Sequence, residues 1–114
     1  LDISNSMATD DGVVVLATWC TQLRSLSMSN CLNLSDIGMS AVADHCRQIT
    51  CLRVNDCPAL TEFSIGKISF LRSLKHLEMD GNDGATDLAL SHIIRGCELL
   101  YLSVRRCPLV GDQS

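Results

Sequence analysis

The sequence predicts an α/β solenoid of about four and a half units of 25–26 residues, with parallel strands on a concave face and helices on a convex face. Three observations predict it. First, the triplets Leu1-Asp2-Ile3, Leu26-Ser27-Met28, Leu52-Arg53-Val54, Leu77-Glu78-Met79 and Leu102-Ser103-Val104 recur at spacings of 25, 26, 25 and 25. Second, the last four triplets are preceded at three residues by Leu23, Ile49, Leu74 and Leu99, and all five are followed by Ser6, Cys31, Cys57, Asn82 and Cys107. Third, a hydroxyl–acid step recurs at Thr9-Asp10-Asp11, Ser35-Asp36, Thr61-Glu62 and Thr86-Asp87, with a relative at Gly111-Asp112; Cys20, Cys46, Leu71 and Cys97 close the units.

Each unit begins with a strand. Leu26-Ser27-Met28-Ser29 alternates apolar and polar, the period-2 signature of a half-buried strand. A turn follows at the Cys or Asn position, where a thiol or the stronger Asn82 amide can satisfy backbone groups as the chain leaves the strand. The hydroxyl–acid step then starts a helix: Ser and Thr oxygens accept from orphan N–H groups, and an acid in the first turn meets a favourable dipole. The apolar residues after it fall on one helical face. They are Val13, Leu16, Ala17 and Cys20 in the first unit, Met39, Val42, Ala43 and Cys46 in the second, and Leu90, Ile93, Ile94 and Cys97 in the fourth.

The third unit departs from this pattern. Residues 63–71 fit helical spacing poorly and end in Leu71 instead of Cys. The expectation there is a short or distorted helix, with Phe63 and Phe70 filling the core. Gly81-Asn82-Asp83-Gly84 is the strongest turn signal in the chain. One unit cannot bury its apolar side alone, but stacked units share a core. Strands stack about 4.8 Å apart and helices about 8–10 Å, so the helical side fans out and the strands line the inside of the bend.

The Leu-x-x-Leu-x-Leu-x-x-Cys/Asn pattern resembles the leucine-rich repeat. The second Cys, the Ser/Thr-Asp step and the period are similar to its cysteine-containing subclass, best known from F-box/leucine-rich-repeat proteins, the substrate receptors of SCF-type ubiquitin ligases. The resemblance covers nearly all of residues 1–114, which read as one leucine-rich-repeat domain, a fragment of a longer solenoid with no leader at its start. It implies substrate recognition by the repeats, and a Skp-type adaptor held through an F-box outside this segment. The rival expectation is a structural or scaffold repeat protein with no ligase role.

Composition excludes other classes. Apolar residues make up 46% and charged residues 19% of the 114, which is a folded domain and not a disordered tail. The net charge of −4, with no basic stretch, argues against nucleic acid, and no apolar run approaches a membrane span. Seven cysteines is an odd number at repeat positions, which favours buried free thiols, a reducing cytosolic or nuclear setting, and Cys51 as the thiol that reacts first. A secreted protein with disulfides between neighbouring units is the other reading of the same residues.

Chemical sites find little support. Cys46, Cys51 and Cys57 with His45 lack the paired knuckles of a zinc site. His45-Cys46 and His92 with Cys97 are badly spaced for a nucleophilic pair, and the acids recur at the repeat period, which argues for capping. Neither enzyme activity nor a cofactor is expected. Binding is expected on the concave face, whose outward columns are Ser25, Cys51, His76 and Tyr101; Asp2, Ser27, Arg53, Glu78 and Ser103; and Ser4, Ser29, Asn55, Asp80 and Arg105. The face turns charged and aromatic toward its C-terminal half. Arg53, His76, Glu78, Asp80, Tyr101 and Arg105 are therefore the candidate contacts for a protein partner, with flanking repeats or a capping partner covering the ends. Arg53 and Glu78 are placed to pair with each other, and Tyr101 is expected to have no internal partner.

Overall fold

The computed structural model describes residues 1–108. The chain runs α1 (Asp10–Trp19), β1 (Ser25–Ser27), α2 (Asp36–His45), β2 (Cys51–Arg53), α3 (Glu62–Lys67) with a 3-10 turn (Ile68–Phe70), β3 (His76–Glu78), α4 (Asp87–Gly96) and β4 (Tyr101–Ser103). The strands form one parallel sheet in the order β1-β2-β3-β4. Their register is that of the repeat: Leu26 faces Leu52, Leu52 faces Leu77 and Leu77 faces Leu102. Asp2 adds an isolated parallel bridge to Ser27 outside β1. This α/β architecture, strands on one side and helices on the other, is consistent with a leucine-rich-repeat solenoid. The Gly111-Asp112 step lies outside the described residues.

The leucines of the three middle triplets, the residues two after them and the helix faces meet in a single core. Leu26, Met28, Leu52, Val54, Leu77 and Met79 come from the strands; Val13, Ala17, Met39, Val42, Ala43, Leu90 and Ile93 come from the helices. Ile94 departs from expectation and is exposed. It holds the register of Ala17 and Ala43, which are buried on helices that pack against the next one; among the described residues no helix follows α4.

The third unit has a short helix, as expected, but Phe63 and Phe70 do not fill the core. They are 68% and 42% exposed. Helix α3 lasts six residues and tightens into a 3-10 turn, whose three-residue period aims Ile65, Ile68 and Leu71 inward. Phe63 instead occupies the outward register of Ile37 and Leu88. The Lys67 ammonium lies 5.9 Å from the Phe63 ring centre and 5.6 Å from that of Phe70.

Side chains carry the repeat from one unit to the next at both ends of the strand–helix step. At the helix starts, Thr9, Ser35, Thr61 and Thr86 cap their own helices. The acids do more than sit in the first turn: they reach forward to the next unit. Asp10 accepts from the Ser35 N–H (2.8 Å), the Ser35 hydroxyl and the Gly38 N–H. Asp36 accepts from the Thr61 N–H (2.8 Å), the Thr61 hydroxyl and the Ser64 hydroxyl, and Glu62 accepts from the Thr86 hydroxyl. Burial would raise the Asp36 pKa, but the hydroxyls of Ser64 and Thr61 outweigh it and hold the carboxyl below its ordinary value.

At the strand exits, Cys31, Cys57 and Cys107 donate their thiols to the carbonyls of Ile3, Met28 and Met79, one unit back, at 3.3, 3.1 and 3.2 Å. Asn82 does more. It donates to the Val54 and Met79 carbonyls (2.8 and 3.1 Å) and accepts from the Cys57 N–H (2.8 Å) while fully buried. All seven cysteines are unpaired. Burial pushes the Cys57 thiol up to about 11, and it also raises Cys46 and Cys97, so these groups stay protonated donors.

Candidate functional site

The outward side of the sheet contains two kinds of residue. The column beginning at Ser4 is largely structural. The chain turns at a residue with positive φ in every unit: Asn5, after the bridging Asp2, and then Asn30, Asp56, Gly81 and Arg106 at the exits of β1–β4. The N–H just before each of the last four has no strand partner, and the column residue one unit back supplies an acceptor. The Ser4 hydroxyl accepts from Ser29 N (3.0 Å), the Ser29 hydroxyl from Asn55 N (3.1 Å), the Asn55 side-chain oxygen Oδ1 from Asp80 N (2.7 Å), and the Asp80 carboxylate from Arg105 N (2.7 Å). Asp80 therefore corrects an expectation. It is 7% exposed, with its carboxylate also accepting from the Ser103 hydroxyl (2.6 Å), and is not presented to solvent.

The other two columns join laterally. Arg53 Nε donates to Glu78 Oε2 at 3.1 Å, the cross-strand pair expected from register. His76 Nε2 lies 2.7 Å from the same oxygen, and Asn55 Nδ2 donates to Oε1 at 3.2 Å. Hydrogen bonding from His76, with help from Asn55 and Arg53, holds the Glu78 carboxyl below its ordinary range. Tyr101 does have an internal partner, contrary to expectation: its ring stacks on His76 with centres 4.5 Å apart and planes 16° from parallel. The pair sits where Cys51, His76 and Tyr101 align across three strands. Stacking covers one face of the ring and leaves Tyr101 45% exposed.

The structure thus brings Arg53, His76, Glu78 and Tyr101 into one network and sets Arg105 beside it, its Nε 3.3 Å from the Ser103 hydroxyl. Two participants lay outside the sequence-derived set. Asn55 joins Glu78 to the strand-exit ladder. Arg106 reaches across two units to Asp56 at 3.1 Å. The signal for the second was present: Gly81 stands between them at the same register, and a Cβ there would meet both Asp56 Oδ1 and Arg106 Nη1.

Among the described residues, no cluster of three His, Cys, Asp or Glu side chains is positioned to hold a metal ion. The helical side carries a shallow groove of about 440 Å³ between α3 and α4, lined by Phe63, Phe70, Leu88 and His92. Ile37, Phe63 and Leu88 form an exposed apolar stripe across three helices.

No family model and no curated protein matches the chain. Among solved structures it resembles a chain of the crystal structure of the Rad7 and Elc1 complex in yeast, with a TM-score of 0.83 at 21% sequence identity. The match covers 94% of this chain and 28% of that one, so the chain spans little more than a quarter of the structure it resembles. At this identity the likeness establishes a shared fold.

Proposed function

We propose that this chain is a protein-interaction module that presents its concave sheet face to a partner, and that it forms the substrate-recognition repeats of an SCF-type ubiquitin-ligase receptor. The observation that carries the binding reading is the ordered network of Arg53, Glu78, His76 and Tyr101 on an otherwise small-residue sheet face. Tyr and Arg held in fixed geometry lose little entropy on contact, the character of interface anchors. The ligase assignment rests on the cysteine-containing repeat pattern, and the shared fold with a chain crystallised in complex with another protein is in keeping with it. In this reading the chain binds without catalysing, a Skp-type adaptor engages an F-box outside these residues, and the protein works in the cytosol or nucleus, a setting that its unpaired thiols support. A second reading, a scaffold in a larger assembly, draws on the Ile37–Phe63–Leu88 stripe of the helical side.

Comparative capture tests both. Proteins retained by the chain are quantified against those retained by Tyr101→Ala/Arg105→Ala and by Ile37→Ser/Phe63→Ser, with Skp-type adaptors and cullins scored separately. The proposal expects a partner set lost from the sheet-face variant and kept by the helical-face variant. The opposite pattern makes the helical side the working surface and favours the scaffold.

A further inference from the structure

The charged groups of the sheet face are not equally available. The carboxylates of its C-terminal half, Glu78 and Asp80, are turned inward. Glu78 receives Arg53, His76 and Asn55, and its side chain is 23% exposed. Asp80 receives Ser103 and the Arg105 N–H, and its side chain is 10% exposed. The cations stand outside them. Arg105 is 75% exposed, its Nε 3.7 Å from Asp80 Oδ2, a loose pairing; Arg53 is 41% exposed. A guanidinium offers five N–H donors. Among the described residues, each of these two uses only its Nε. The formal charges of the four residues cancel, but what reaches solvent is donor-rich and positive. This contrasts with the chain's net charge of −4.

We infer that the C-terminal half of the sheet face takes an acidic segment of a partner protein, whose carboxylates accept from the outer N–H groups of Arg53 and Arg105 while a neighbouring side chain covers the open face of Tyr101. Spacing supports an extended segment. Arg53 lies on β2 and Arg105 just past β4, two strand steps across and two residues along. That is about 12 Å from strand and residue spacings, or roughly four residues of extended chain, so acids three or four positions apart meet both cations. The partner's carboxylates meet guanidiniums whose Nε is already directed at the protein, and bidentate geometry on the outer N–H groups is open to both. Lateral stacking on His76 keeps the Tyr101 ring beside them. This inference rests on the interaction reading above and adds the chemistry of the partner.

The test uses NMR titration of the chain with three probes: a peptide of about twelve residues alternating pairs of Glu with Gly-Ser, its Gln counterpart, and a single-stranded oligonucleotide of equal charge. The expected result is shifts at the amides of Arg53, Glu78, Tyr101 and Arg105 with the Glu peptide alone. Affinity should fall roughly tenfold or more in Arg53→Gln/Arg105→Gln, and salt should weaken it, because the attraction is exposed. Equal shifts with the Gln peptide overturn the acidic chemistry but leave a concave interaction surface. Tighter binding of the oligonucleotide overturns the protein-segment reading in favour of a general polyanion site. Shifts confined to α2–α4 overturn both this inference and the concave-face reading. Absence of shifts with every probe at millimolar concentration overturns the acidic inference, and the capture experiment then decides the interaction reading separately.

Discussion

The strand exits and the sheet face lie within a few residues of each other in every unit, yet they spend their polar groups differently. At the exits, Cys57, Asn82 and Asp80 bond to the backbone of a neighbouring unit and are buried. On the face, Arg53, Glu78, His76 and Tyr101 bond to one another and remain partly exposed. Backbone groups must be satisfied in any folded state, so a side chain that serves them belongs to the fold. Side chains that serve only each other can exchange those partners for a ligand. The contrast separates residues that hold the solenoid together from residues free to work.

The largest effect that would break this contrast is expected at Asn82. Asn82→Ala leaves the Cys57 N–H and the Val54 carbonyl buried without a partner, and it weakens the satisfaction of Met79. Each such group costs about 1–3 kcal/mol, so the variant should lose about 3 kcal/mol or more in urea unfolding. Asn82→Cys is the sharper comparison. The thiol can restore the carbonyl contact made by Cys57 and Cys107 but not the bond to the Cys57 N–H, so it should recover part of the loss. A loss below about 1 kcal/mol in Asn82→Ala would mean that the exit ladder is not structural.

Gly81→Ala should come next. The φ of 75° disfavours any Cβ, and the new methyl meets Asp56 and Arg106. The backbone conformation alone costs about 1–2 kcal/mol; separation of Arg106 from Asp56 adds little because that pair is exposed. Urea unfolding measures the sum.

A smaller effect concerns acid. The Asp36 carboxyl is held below its ordinary value of 3.8 in the folded chain. Its contribution is therefore complete above the unfolded pKa and disappears as pH falls through the lower, folded value. Asp36→Asn should be less stable at pH 6 and show a shallower decline below about pH 4, read from midpoints of urea unfolding across that range.

The smallest stability change is expected on the face itself. Arg53→Ala removes one partly exposed ion pair and should cost about 0.2–1 kcal/mol. A cost comparable to that of Asn82→Ala would place Arg53 among the structural residues and erase the distinction.

Much of this was legible in the chain. The five triplets, the Cys/Asn position and the hydroxyl–acid step located strands, turns and helix starts, because each reflects a local need: alternation, a turn acceptor or a cap. The same register predicts Arg53 opposite Glu78, and the two side chains pair there. The failures share a physical cause. Phe63 and Phe70 have the size and apolarity of core residues, but burial depends on which side chains the helix and its 3-10 turn aim inward, and those are Ile65, Ile68 and Leu71.

Asp80 looked like surface because it is charged and points out of the strand. Its burial depends on an unpaired N–H of Arg105 a whole unit away. The stacking of Tyr101 on His76 likewise requires rotamers that register alone does not specify. By itself the sequence determined the period, the strand register and which side chains could reach the sheet face, since these follow from spacing along one chain. Only the tertiary structure decided which of those side chains the backbone had already claimed, because a hydrogen bond between units depends on positions 25 residues apart being brought within 3 Å.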